Sequence, residues 1–106
     1  MIARKWHGIV PSEKAEIYHS YLLATGLRDY TATAGNRGVF LFKRANGDIT
    51  HFDTLTFWND VAAIKKFAGE DYEKARYYPE DKDYLLEFEE LVTHYEVLEA
   101  EGIFRQ

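Results

Sequence analysis

Residues 37–58 read RGVFLFKRANGDITHFDTLTFW. Asn46-Gly47 sits between two apolar runs, and an Asn-Gly pair tolerates the positive φ angles that a two-residue hairpin turn demands. The pattern predicts a strand over 37–44, a tight turn, and a strand over 49–58. The hairpin is apolar on both faces. Val39-Phe40-Leu41-Phe42 is an unbroken apolar run, and Leu55 and Phe57 alternate with Phe52 and Trp58. A sheet with one wet face alternates cleanly between apolar and polar residues. This one does not, so both of its faces should be covered.

Outward from the hairpin, residues 2–10 read as a first strand, closed by Pro11. Residues 12–25 carry Ile17, Tyr18, Tyr21 and Leu22 at helical spacing, with Ser12 as the expected N-cap and Gly26 as the expected stop. Residues 27–36 read as a connection. After the hairpin, Asn59 or Asp60 can cap a short helix whose inner face holds Val61, Ile64, Phe67 and Ala68, ended by Gly69. A further helical piece is expected over 71–78, a helical turn over 83–88, and a last strand over 90–98. Ile103 and Phe104 in the tail are large enough to dock rather than trail free.

The order is βαββαβ, that of a ferredoxin-like split unit. Right-handed crossovers then give a four-stranded antiparallel sheet in the order 4-1-3-2, with helices on one face. The opposite face would exceed the apolar patch a monomer tolerates, so two sheets are expected to pack face to face as a C₂ homodimer, an α+β barrel.

A chain of 106 residues suits one domain, 1–106, with a core of its own. The absence of cysteine removes thiol catalysis, disulfides and thiolate metal sites, and fits a reducing cytoplasm. Residues 1–10 do not read as a signal peptide, and no run reaches the length of a membrane span. The net charge is −5, with acidic residues clustered after Gly69, where they read as a solvated surface. Without a basic stripe, nucleic acid is not an expected partner. Eight Tyr, seven Phe and two Trp point to a wet interface or a pocket for a flat aromatic ligand, or else to half-buried strand tyrosines.

Histidine is the side chain that titrates near neutrality without help. His19 reads as exposed. His7, His51 and His94 fall on neighbouring strands, where they could approach one another beside Asp53, but a one-residue change of register would reverse any of their faces. Separate hydrogen-bonded histidines are the alternative, and no metal is expected. His94 is the preferred acid or base among them.

Several segments, in this order, resemble antibiotic biosynthesis monooxygenase-like proteins. They are Leu55-Thr56-Phe57-Trp58, a capped helix through Ala63 and Phe67, Lys74-Ala75-Arg76-Tyr77-Tyr78-Pro79, and Val92-Thr93-His94-Tyr95-Glu96-Val97. The resemblance implies a dimeric α+β barrel with a pocket between sheet and helices. It implies a cofactor-independent monooxygenase acting on a small aromatic or polyketide-like compound, or a non-catalytic or stress-associated protein that binds a small apolar ligand. Trp58, Tyr77 and His94 are then the catalytic candidates, and Tyr78, Phe67 and His51 the substrate-binding ones. Trp58 could equally be a core anchor. The haem-cleaving branch of that family uses an Asn on the first strand, a Trp ending the third, and a His on the following helix. Trp58 matches the Trp, the helical position falls at or near Tyr77, and residues 1–10 hold no Asn.

Overall fold

A computed structural model describes residues 1–103; Phe104 lies outside them. Its elements run β1 (Ile2–Pro11), a 3₁₀ turn (Ser12–Lys14), α1 (Ala15–Ala24), α2 (Gly26–Ala32), β2 (Asn36–Asn46), β3 (Ile49–Trp58), α3 (Val61–Ala68), a second 3₁₀ turn (Pro79–Asp83) and β4 (Thr93–Glu96). The four strands form one antiparallel sheet in the order β2-β3-β1-β4, the expected 4-1-3-2 read from the other edge. The fold is ferredoxin-like α+β.

Gly47 closes the hairpin at φ 63°, a conformation that glycine adopts at no steric cost. In β3 the burial alternates without a break. Thr50, Phe52, Thr54, Thr56 and Trp58 point at the helices, and Ile49, His51, Asp53, Leu55 and Phe57 point away. Asp60 caps α3, its side chain accepting from the Ala63 N–H at 2.9 Å.

Three expectations need correction. Gly26 does not end the first helical region. The chain bends at Thr25 and a second helix follows at once, which carries Tyr30 under Trp58. Ser12 does not cap α1; its hydroxyl donates to the Gly47 carbonyl at 2.8 Å and meets Thr50 Oγ1 at 2.9 Å, tying the hairpin turn to the end of β1.

The third correction concerns residues 69–92, expected to be partly helical. They form an irregular strap with only the Pro79–Asp83 turn coiled. Its backbone groups are satisfied across the strap instead of along a helix. The Ala75 N–H donates to Glu90 O at 2.9 Å, Val92 N–H to Glu73 O at 2.8 Å, and Leu86 N–H to Ile9 O at 2.8 Å. The pairing of residues 73–75 with 90–92 also shortens the last strand to Thr93–Glu96.

Arg4 anchors the strap. It is buried on the helix side of β1, and its guanidinium donates to the Tyr72 carbonyl at 2.6 Å and the Lys74 carbonyl at 3.2 Å. Ile103 reaches a cleft beside Val39, Phe40 and Phe57 while remaining half exposed.

Candidate functional site

Between the sheet, α1, α2 and the strap lies a cavity of about 30 Å³. That is room for about one or two water molecules. The sheet contributes Trp6 and Thr54, the helices Tyr18, Tyr30 and Phe67, and the strap Arg76, Tyr77, Tyr78 and Asp81.

Trp6 enters the cavity wall because its neighbour two residues on is Gly8. A Cβ there would come within 2.7 Å of the Trp6 ring and 2.9 Å of Leu85. The indole N–H donates to the Tyr77 hydroxyl at 3.3 Å, and that hydroxyl donates to the Glu89 carbonyl at 2.6 Å. The Tyr78 hydroxyl donates to Asp29 Oδ2 at 2.6 Å, and Tyr30 and Thr54 share a hydroxyl pair at 3.3 Å. Arg76 donates to the Phe67 carbonyl at 2.9 Å and lies over the rings of Phe67 and Tyr78, 4.7 Å and 5.1 Å from their centroids.

Asp81 contradicts the reading of the acidic run as solvated: only 4% of it is exposed. Its Oδ1 accepts from the Tyr18 hydroxyl at 3.1 Å and its Oδ2 from the Tyr78 N–H at 2.7 Å. Burial pushes its pKa above the ordinary carboxylate range, against the lowering effect of those two donors. Burial likewise raises Tyr18, Tyr30, Tyr77 and Tyr78, so the wall consists of protonated phenols rather than phenolates.

Of the residues predicted from sequence, the fold gathers Tyr77, Tyr78 and Phe67 at the cavity. Trp58 lies behind it, fully buried. Its indole N–H donates to Thr56 Oγ1 at 2.8 Å, and its ring packs on Phe67 and Tyr30, with centroids 5.8 Å and 6.3 Å away. His94 sits opposite Arg4 on the neighbouring strand, 3.4 Å from the guanidinium and edge-on to Tyr72. Burial and then the Arg4 charge lower its pKa. His51 lies on the other face of the sheet, where its Nδ1 meets His7 Nε2 at 2.8 Å.

The three strand histidines therefore do not converge. His7 pairs with His51, and His94 stands apart. Among the described residues no group of three or more His, Asp or Glu side chains is arranged to hold a metal ion.

Trp6, Tyr18, Tyr30, Thr54 and Asp81 were not singled out from the sequence. Three of them carry a usable signal: Trp6 shares a strand face with Val10, Tyr18 lies on the apolar stripe of α1, and Thr54 falls between Phe52 and Trp58, whereas Tyr30 falls in the stretch read as a connection. Asp81 carries none, since Glu80-Asp81-Lys82-Asp83 looks like any solvated turn.

No family model and no curated protein match the chain. Two solved structures are similar to it. One is a crystal structure of an MhuD mutant with two manganese protoporphyrin IX molecules bound per active site; it is 17% identical over 96% of this chain and 99% of that one, with a TM-score of 0.64. The other is the structure of Rv0793 from Mycobacterium tuberculosis, 17% identical over 95% of this chain and 98% of that one, with a TM-score of 0.60. Near-complete coverage of both chains at so low an identity means that element order and packing are shared while side chains are not. The chain has the ferredoxin-like α+β fold of these two proteins, which is the fold implied by its resemblance to antibiotic biosynthesis monooxygenase-like sequences.

Proposed function

We propose that the chain is a cofactor-independent monooxygenase, acting as a homodimer on a small aromatic or polyketide-like compound taken up beneath the strap. The observation that carries this reading is the wall of the cavity. It combines aromatic faces for a flat ring, a guanidinium, phenol hydroxyls whose present acceptors are protein groups, and a water-poor interior bounded on one side by an irregular strap. Long irregular segments over a cavity are where binding sites are commonly found. Because the cavity holds only about 30 Å³, uptake of such a ligand requires the strap to lift and break the Tyr18–Asp81 and Tyr78–Asp29 hydrogen bonds.

The chemistry asks little of the protein. An activated methylene compound supplies all four electrons itself: R₂CH₂ + O₂ gives R₂C=O + H₂O. The protein binds the ring, stabilises its anion and excludes water. Oxygen uptake with a panel of anthrones and polyphenols tests the reading. Uptake is expected with the wild-type chain, with a fall of about tenfold or more in Tyr77→Phe if its hydroxyl donates to the substrate. No uptake across the panel sinks it.

Assembly as a homodimer is supported by the uncovered face of the sheet. Phe40 and Phe42 stack there with centroids 5.9 Å apart, beside Leu55 and Phe57, and Phe42 and Tyr95 are half exposed. Native mass spectrometry should find a dimer; a monomer at micromolar concentration would remove this part of the proposal. The lack of cysteine supports a cytoplasmic setting.

A second reading, a non-catalytic protein that sequesters the same class of ligand, is favoured by a different observation. The cavity is small, and the hydroxyls of Tyr18, Tyr77 and Tyr78 already donate to protein acceptors. It predicts saturable binding without oxygen uptake. Haem is the third candidate, since one of the similar structures carries a porphyrin. The residues do not fit it. The helix after β3 is α3, whose side chain against Trp58 is Phe67, with no lone pair for iron. Tyr77 lies outside that helix, with its hydroxyl engaged by Trp6 and Glu89. Among the described residues of β1 there is no Asn.

A further inference from the structure

We propose that Asp81 is the general base of this pocket, its Oδ1 taking a proton from an acidic C–H or O–H of the bound aromatic compound; Arg76 lines the same wall but is already paired with Asp29 at 3.4 Å. The proposal rests on reading the cavity as a ligand site. It assigns a role that neither the sequence pattern nor the resemblance singled out.

Asp81 is the buried carboxylate lining the cavity. Its two oxygens are unequal. Oδ2 is held by the Tyr78 N–H at 2.7 Å, while Oδ1 has the single, longer contact of 3.1 Å with the Tyr18 hydroxyl. A carboxylate oxygen accepts more than one hydrogen bond, so Oδ1 keeps capacity for a substrate proton. The other titratable groups facing it are Tyr18 and Tyr21 on α1, Tyr30 on α2, and Tyr77 on the strap. Burial raises all four, so none ionises near neutrality to compete as the base. The same burial makes Asp81 a stronger proton acceptor than an exposed carboxylate. In the step itself the carboxylate becomes a carboxylic acid and the substrate becomes its conjugate anion. No electrons are exchanged, and the proton returns to solvent when the strap opens.

Proton removal can be separated from oxygenation. Anthrone incubated without oxygen in deuterium oxide should exchange its methylene hydrogens faster with the protein than without it. Asp81→Asn should slow that exchange about 100-fold or more while the chain stays folded and still binds anthrone. No acceleration by the wild-type chain overturns the proposal, as does an Asp81→Asn rate within about threefold of wild type. Should Asp81→Asn fail to fold, Tyr18→Phe supplies the second test. Without its donor the carboxylate is easier to protonate, and the acidic limb of the exchange rate should move to higher pH. An unmoved limb overturns the assignment. Exchange that persists where oxygen uptake is absent strikes the oxygenase reading and leaves the base in place.

Discussion

The two tryptophans lie on the same face of the sheet, on adjacent strands, and do opposite things. Trp58 is fully buried among Tyr30, Ile64 and Phe67, under two regular helices, and its indole N–H is satisfied within its own strand. Trp6 sits among Tyr18, Phe52 and Leu85, and its N–H reaches across a cavity to the strap. One end of the molecule is a largely apolar core around Trp58, which shares Tyr30 and Phe67 with the cavity wall, and the other is an aromatic core broken by hydroxyls and one carboxylate. The covering element makes the difference. A helix satisfies its own backbone and can present a purely apolar face. An irregular strap must be held by side chains, and those side chains bring polar groups inside.

If that contrast is right, mutations at the two ends should fail differently. The largest effect belongs to the dry end. Trp58→Ala should cost about 3–5 kcal/mol in urea unfolding, because α2, α3 and the sheet can relax only partly into the space it leaves. A loss below about 1 kcal/mol would mean that the Trp58 site is not a rigid core. At the other end, Gly8→Ala should cost about 1–3 kcal/mol by pushing the Trp6 ring and Leu85 apart. It should also alter tryptophan fluorescence, since Trp6 is the indole displaced.

Tyr18→Phe comes next, at about 1–2 kcal/mol near neutral pH, because it strips a buried carboxylate of its side-chain donor. Its penalty should shrink in acid as Asp81 takes up a proton. The sign for Asp81 follows from its raised pKa. Between the ordinary carboxylate value, about 4, and the higher folded one, the native state holds a proton that the unfolded chain has released. Asp81 therefore makes stability fall as pH climbs through that window, and Asp81→Asn should flatten the fall. His94 has the opposite sign. Its pKa is lowered, so it contributes a loss of stability as pH drops below about 6.5, and His94→Gln should remove it. The smallest expected change is Tyr30→Phe, below about 1 kcal/mol, since its 3.3 Å hydroxyl contact borders the dry core. A larger loss there would blur the distinction between the two ends.

Much of the fold was readable from local chemistry. Asn46-Gly47 announced the hairpin, the alternation from Thr50 to Trp58 set the faces of β3, and Asp60 capped α3. The strap was misread for a physical reason. Residues 71–78 have helical composition, yet the Ala75 N–H and the Glu73 carbonyl find partners at Glu90 and Val92, and the Tyr72 and Lys74 carbonyls at Arg4. Of the candidate site, Tyr77, Tyr78 and Phe67 were legible because they fall in the segments that carry the family resemblance and have side chains suited to stacking on a flat ring. Asp81 was not, because burial of a carboxylate in an acidic turn depends on Tyr18, some sixty residues earlier.

The sequence by itself determined the strand order, the antiparallel sheet and the two apolar faces of the hairpin, since these follow from periodicity, turn chemistry and handedness. Only the tertiary structure decided which aromatics pack dry and which line a cavity, that His94 stands apart from the His7–His51 pair, and that Asp81 faces inward. Those outcomes depend on strand register and on the path of the strap, and both are set by contacts between residues far apart in the chain.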